Sequence, residues 1–297
     1  MTQQFSSEAS SVSPLSAERS PKRAAIIYDF DGTLSPGSMQ QHSYIPELGY
    51  ESHSDFWKEV KAACKERDGD EILTYMQFMI TRSPRPVTRD MLQAHGAKLP
   101  LFSGVESWFG RMNSYALERG VSLEHYVISS GTREMIDGCA IRNEFTNVFA
   151  SSFAYDADGA ASWPAVAINY TTKTQFVFRI NKGIENIWDN EAINRWIPVD
   201  ERAIPFDRMI FIGDGDTDIP AMKMVRLKGG AAIAVFNPDE WERAASQDKI
   251  HRLIAEDRAT YVAPANYEAG SQLDVTVRGI LGRIVREAGY RPAPRGS

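Results

Sequence analysis

Three observations in the sequence predict an α/β fold with a parallel sheet covered on both faces by helices. Short apolar runs of strand length, at 26–28, 126–128, 148–150, 209–212 and 231–236, alternate with longer stretches of helical periodicity. Two of these runs stop abruptly in acidic clusters, and the carboxyl ends of strands are where open α/β sheets carry their chemistry. Far more residues separate the first run from the second than a crossover between parallel strands needs, which predicts an insertion.

The first run continues as Asp29-Phe30-Asp31-Gly32-Thr33. Side chains alternate along a strand, so Asp29 and Asp31 can share a face, and Gly32 supplies the permissive backbone to turn away. Asp-Gly is also an ordinary turn dipeptide, so the cluster alone decides nothing. A second unit, residues 209–213 followed by Asp214-Gly215-Asp216-Thr217-Asp218, repeats the pattern nearly two hundred residues on. Two such units imply one acidic pocket assembled by the fold. The spacing of Asp214, Asp216 and Asp218 also matches the first ligands of an EF-hand. That loop needs Gly after the third acid and Glu at its twelfth position, where this chain has Ile219 and Val225.

Between these units, residues 126–128 lead into Ser129-Ser130-Gly131, and Thr171-Thr172-Lys173-Thr174 opens a helix carrying Phe176, Phe178 and Ile180. Taken in order, D-x-D-G-T, a strand ending in Ser, a Lys near a helix start and G-D-G-x-x-D resemble the haloacid dehalogenase superfamily. The resemblance runs from Ala24 to about Phe236. It implies a Rossmann-like doubly wound sheet, Mg²⁺ dependence and an aspartyl-phosphate intermediate. Asp29 is the implied nucleophile and Asp31 the acid/base, its proton retained by neighbouring negative charge. Ser129 and Lys173 are the implied phosphate-binding groups, with Lys182, expected deep inside the same helix, as the alternative lysine. The implied metal ligands are Asp29, Asp214 and the backbone carbonyl of Asp31. Asp218 is expected to support the lysine or metal-bound water, and Asp216 to be a solvated loop acid. An aspartate two residues after the nucleophile marks phosphatases and phosphomutases and argues against carbon-halogen hydrolases and ion-pumping ATPases.

The insertion is read as a helical cap over 36–100, within a core of 23–35 and 101–290. One helix is expected from Ser54 with Phe56, Trp57, Val60 and Cys64, and a second with Ile72, Leu73, Met76, Met79 and Ile80. The second should stop at Arg82-Ser83-Pro84-Arg85-Pro86. Ser103 is expected to cap a helix carrying Val105, Trp108, Phe109, Met112 and Tyr115, ended by Gly120. This layout resembles the phosphoserine-phosphatase-like branch. That branch has an acid nine positions after the nucleophile, where this chain has Ser38, which argues against phosphoserine as substrate. His42, Tyr44, Trp57, Tyr75 and Arg82 are candidates for substrate contact, each also explained by packing or solvation.

With 297 residues and 43% hydrophobic content the chain can bury a sizeable core. A net charge of −6 argues against electrostatic binding to nucleic acid or to an anionic membrane. Two cysteines, Cys64 and Cys139, are too few for a disulfide framework and lack metal spacing, which together with the absence of a secretory-type leader predicts a cytoplasmic location. No apolar run reaches membrane-span length. Residues 1–22, rich in Ser, and 291–297, with Pro292, Pro294 and Gly296, are expected to be flexible tails. The expected activity is Mg²⁺-dependent hydrolysis of a small phosphate ester. A phosphotransferase or mutase, or a catalytically idle binding module, are the alternatives.

Overall fold

The computed structural model describes residues 22–215 and 217–287. The tails expected at 1–22 and 291–297, apart from Lys22, and Asp216 lie outside the described residues. β1 (Lys22–Tyr28) is followed by four helices, α1 (Tyr44–Glu47), α2 (His53–Arg67), α3 (Glu71–Thr81) and α4 (Arg89–Gly96). The chain continues through α5 (Val105–Leu117), β2 (Val121–Thr132), α6 (Arg133–Gly138), β3 (Asn147–Tyr155) and β4 (Ala161–Val166). Then come α7 (Thr172–Lys182), α8 (Asn190–Asn194), β5 (Met209–Gly213), α9 (Ile219–Leu227), β6 (Ala231–Phe236), α10 (Ala244–Ala255), β7 (Tyr261–Pro264) and α11 (Gln272–Glu287).

Among the described residues these strands form one seven-stranded sheet in the order β4-β3-β2-β1-β5-β6-β7. All neighbours are parallel except β4, which folds back on β3 as an antiparallel edge. Residues of β1 alternate between two cores, because a central strand must bury both faces. Ala24, Ile26 and Tyr28 face α5, α6, α11 and the inserted helices, whereas Ala25 and Ile27 face α7, α9 and α10. Strand order reverses between β1 and β5, and the Asp29 amide donates to the Ile212 carbonyl at 2.9 Å, extending the pairing to the edge of that crevice.

Local signals explain most element boundaries. α2 starts one residue before the expected Ser54, because Ser52 is its cap and accepts from the Asp55 amide. Asp70 caps α3 in the same way, and the Pro-containing stretch after Thr81 prevents its continuation. The expected Ser103 cap is corrected. Gly104 occupies the cap position of α5, while the Ser103 hydroxyl donates to Glu268 at 2.8 Å. Helix α4, capped by Thr88, has no counterpart in the sequence reading. It packs on α6 so closely that Gly96 lies against the Met135 backbone and Gly138 against Gln93. No helix among the described residues is long and apolar enough to cross a membrane.

Candidate active site

Asp29 follows the last residue of β1 and is only 4% exposed. Its Oδ1 accepts from the Phe30 amide at 2.7 Å and stands 3.0 Å from the Lys173 ammonium. Lys173 lies in the first turn of α7, is fully buried, and donates to Asp218 Oδ1 at 2.7 Å. Burial works against its charge, but the Asp218 and Asp29 carboxylates prevail and hold its pKa above the ordinary lysine value. Burial pushes the Asp29 carboxyl up, the Asp218 and Asp214 charges push it further, and Lys173 opposes them.

Asp31 turns away from this pair. Its Oδ1 accepts from the Met39 amide at 2.9 Å, and burial raises its carboxyl to about 7 despite that hydrogen bond. The proton-retaining effect expected from neighbouring charge therefore comes mainly from desolvation, with the Asp214 charge a smaller contribution. Gly32 makes the turn after Asp31 with φ +69°, and a Cβ there would stand 3.0 Å from Asp214 Oδ2. Glycine thus serves both the backbone conformation and the approach of the second acidic loop to the first.

The Ser129 side chain is fully buried, and its hydroxyl accepts from the Gly131 amide at 3.0 Å. Pairing of β2 with β3 skips from Ser129 to Thr132, so Ser130 and Gly131 bulge from the ladder toward the cleft. Asp29, Asp31, Gly32, Gly37, Ser38, Ser129, Ser130, Asp214 and Thr217 line a cleft of about 290 Å³. The hydroxyls of Ser38 and Ser130 are buried there without a protein partner.

Lys182 is not brought to this cleft. It is the last residue of α7, not an interior one, and its ammonium donates to the Ile193 and Arg195 carbonyls at 2.6 and 2.7 Å, tying down α8. Among the candidates for substrate contact, Tyr75 reaches the wall of the site, its hydroxyl donating to the Ser130 carbonyl at 2.6 Å. His42 bonds the Pro36 carbonyl, Tyr44 the Met79 carbonyl, and Arg82 pairs with Glu59, while Trp57 packs against Phe56 and Tyr75. Sequence reasoning missed Lys249 of α10, whose ammonium lies 2.9 Å from Asp214 Oδ2. An isolated lysine in an amphipathic helix carries no signal that would have found it.

Carboxylate oxygens of Asp29, Asp214 and Asp218 lie within 4.8 Å of one another. An all-oxygen donor set of closely spaced carboxylates fits a hard divalent cation such as Mg²⁺. Asp218 thus joins the cluster, while the Asp31 carboxylate is directed to Met39.

Acids at the mouths of β1 and β5, a serine at the end of β2 and a buried lysine, all gathered at the switch point of a parallel sheet, define an α/β enzyme of acidic-cleft type. More particularly, residues 26–223 match the family model of the haloacid dehalogenase-like hydrolases, and the chain belongs to that family. A protein of Borreliella burgdorferi strain B31, described only as uncharacterized, is 28% identical over 279 residues, covering 84% of this chain and 93% of its own. The fold is also that of a HAD family hydrolase from Salmonella enterica serovar Typhi, with TM-score 0.55 and 14% identity, covering 89% of this chain and 73% of the other. A phospho-aspartyl intermediate analogue of phosphoserine phosphatase superposes with TM-score 0.50 and 16% identity, covering 87% and 99%. At these identities the likeness to solved structures concerns the fold, which this chain shares with phosphatases of the family.

Proposed function

We propose that the protein is a Mg²⁺-dependent phosphomonoesterase that hydrolyses a small phosphorylated metabolite through an aspartyl-phosphate. The observation that carries this reading is the meeting of Asp29, Asp31, Ser129 and Asp214 in one cleft, with Lys173 held against Asp29. A carboxylate approaching a phosphate dianion to about 4 Å meets repulsion of about 8 kcal/mol at an effective dielectric of about 20. Lys173 offsets part of it from within the protein. Mg²⁺, held by Asp29, Asp214 and the Asp31 backbone carbonyl with Asp218 beside them, would supply the remaining positive charge.

Asp29 attacks phosphorus, and Asp31, whose partly desolvated carboxyl has its pKa raised to about 7, gives its proton to the departing alkoxide oxygen. The carboxylate so formed then takes a proton from water as water attacks the aspartyl-phosphate. Lys173 and the Ser129 hydroxyl stabilise charge on the phosphoryl oxygens. Asp218 keeps the lysine aimed at Asp29.

The helices within 36–100 act as a cap over a core of 23–35 and 101–290. Tyr75 of α3 and Met39 both meet the serine loop, and a cleft of about 290 Å³ suits a phosphate with a compact leaving group. The test is phosphate release from a panel of phosphomonoesters, with and without Mg²⁺, by wild type beside Asp29→Asn. Metal-dependent turnover lost in the variant is the expected result, and turnover retained by Asp29→Asn overturns the nucleophile assignment.

A further inference from the structure

Two lysines meet the acidic cluster, and they are held differently. Lys173 is fully buried between Asp29 and Asp218. Lys249 reaches Asp214 from α10 in a pair whose side chains are 24% and 28% exposed. Asp214 is at the same time one of the three carboxylates whose oxygens cluster within 4.8 Å. A second cavity of about 170 Å³ adjoins the catalytic cleft. Gly32, Gly37 and Asp214 line both, and the second is closed by the polar Lys249, Asn237, Glu240 and Ser246 together with apolar residues of β6 and α10.

An ammonium and a divalent cation drawn to one carboxylate repel each other strongly at such range. Lys173 has no route out, since it is enclosed by protein. Lys249 has one, because the adjoining cavity gives a long, flexible side chain room to withdraw and offers the Glu240 carboxylate and Ser246 hydroxyl as polar surroundings.

We propose that Lys249 is an internal counter-ion that holds Asp214 in the metal-free protein and is displaced into the adjoining cavity when a divalent cation binds. Metal binding is then an exchange of one cation for another, and Lys249 sets the affinity of the site. The proposal rests on reading Asp29, Asp214 and Asp218 as a metal site.

Calorimetric titration of Mg²⁺ alone into the full chain, without substrate, tests it in wild type, Lys249→Gln and Lys249→Arg. Lys249→Gln should bind Mg²⁺ about two- to fivefold more tightly, the scale of one partly exposed ion pair, and Lys249→Arg should stay close to wild type. The Mg²⁺-induced rise in melting temperature should be larger in Lys249→Gln than in wild type, and melting in chelator reports whether each variant is folded. Equal affinity in wild type and Lys249→Gln overturns the exchange while leaving the metal site standing. Weaker binding by Lys249→Gln overturns it too, and makes the lysine a support that positions Asp214. Absence of Mg²⁺ binding in all three proteins removes the metal site and the proposal with it.

Discussion

The Asp218 carboxylate reaches Lys173 across Gly213, where any Cβ would overlap Asp218 Oδ2. Residue 213 is thus glycine because of packing rather than turn geometry, and its place at the end of β5 brings the second acidic loop against the first. Asp29 and Asp31 show how two residues of one motif acquire different chemistry. One faces a buried ammonium and the other a backbone amide at the edge of the cleft. The consequence for Asp31→Asn follows from its proposed role as proton donor. kcat/KM on an alkyl phosphate should fall by about 10² to 10⁴, the usual range for loss of a general acid. With p-nitrophenyl phosphate, whose leaving group needs no proton, the loss should be much smaller. Equal losses on both substrates would remove Asp31 from the acid role.

At the level of elements, α3 is one link between the inserted helices and the bulge after Ser129. Its inner face is apolar, with Ile72, Met76 and Met79 in the core, and Tyr75 on that face carries one polar atom to Ser130. The bulge after Ser129 leaves the Ser130 carbonyl outside the sheet ladder, so the tyrosine supplies a hydrogen bond that the strand does not. Tyr75→Phe keeps the ring packing and removes only that bond. It should lower kcat/KM about three- to tenfold, on the scale of one neutral hydrogen bond, with little change in melting temperature. Unchanged kinetics would show that the serine loop holds its position without α3. Helix α4 illustrates the opposite relation between sequence and element. It is only two turns long, and its close backbone approach to α6 at Gly96 and Gly138 is a contact between segments that no local pattern announces.

Across the whole molecule, the core on the α5 face contains a buried polar chain. Trp108 Nε1 donates to the Tyr28 hydroxyl at 2.8 Å, and Tyr28 donates to His125 Nδ1 at 3.0 Å. His125 Nε2 in turn donates to Asn113 Oδ1 at 3.0 Å. The chain uses the neutral imidazole, and burial lowers the His125 pKa to about 3. Protonation is therefore tighter in the unfolded chain. Stability is full above the ordinary histidine pKa near 6.5 and is lost as pH falls from there toward 3. Between pH 7.5 and pH 5 this group should cost about 2 kcal/mol of unfolding free energy by proton linkage. Urea unfolding at the two pH values reads the difference, and His125→Gln should show about 2 kcal/mol less pH dependence. The same pH dependence in both proteins would assign the loss to other groups.

The parallel sheet, the two acidic strand ends, the serine, the lysine-bearing helix and the helical insertion were all legible in the sequence. Each depends on residues close together in the chain: an apolar run, an acid where it stops, a capping residue, a proline that ends a helix. Other features belong to tertiary structure, because they depend on distance between residues remote in sequence. Lys173 and Lys182 differ only in what the fold places opposite them, two carboxylates in one case and two helix-end carbonyls in the other. Burial, which no local pattern measures, raises the Asp31 carboxyl to about 7. Lys249 reaches Asp214 only because α10 packs beside β5 and β6, on the far side of the crevice from β1. Local chemistry thus named the candidate groups, and long-range packing determined which of them meet and how far each is withdrawn from water.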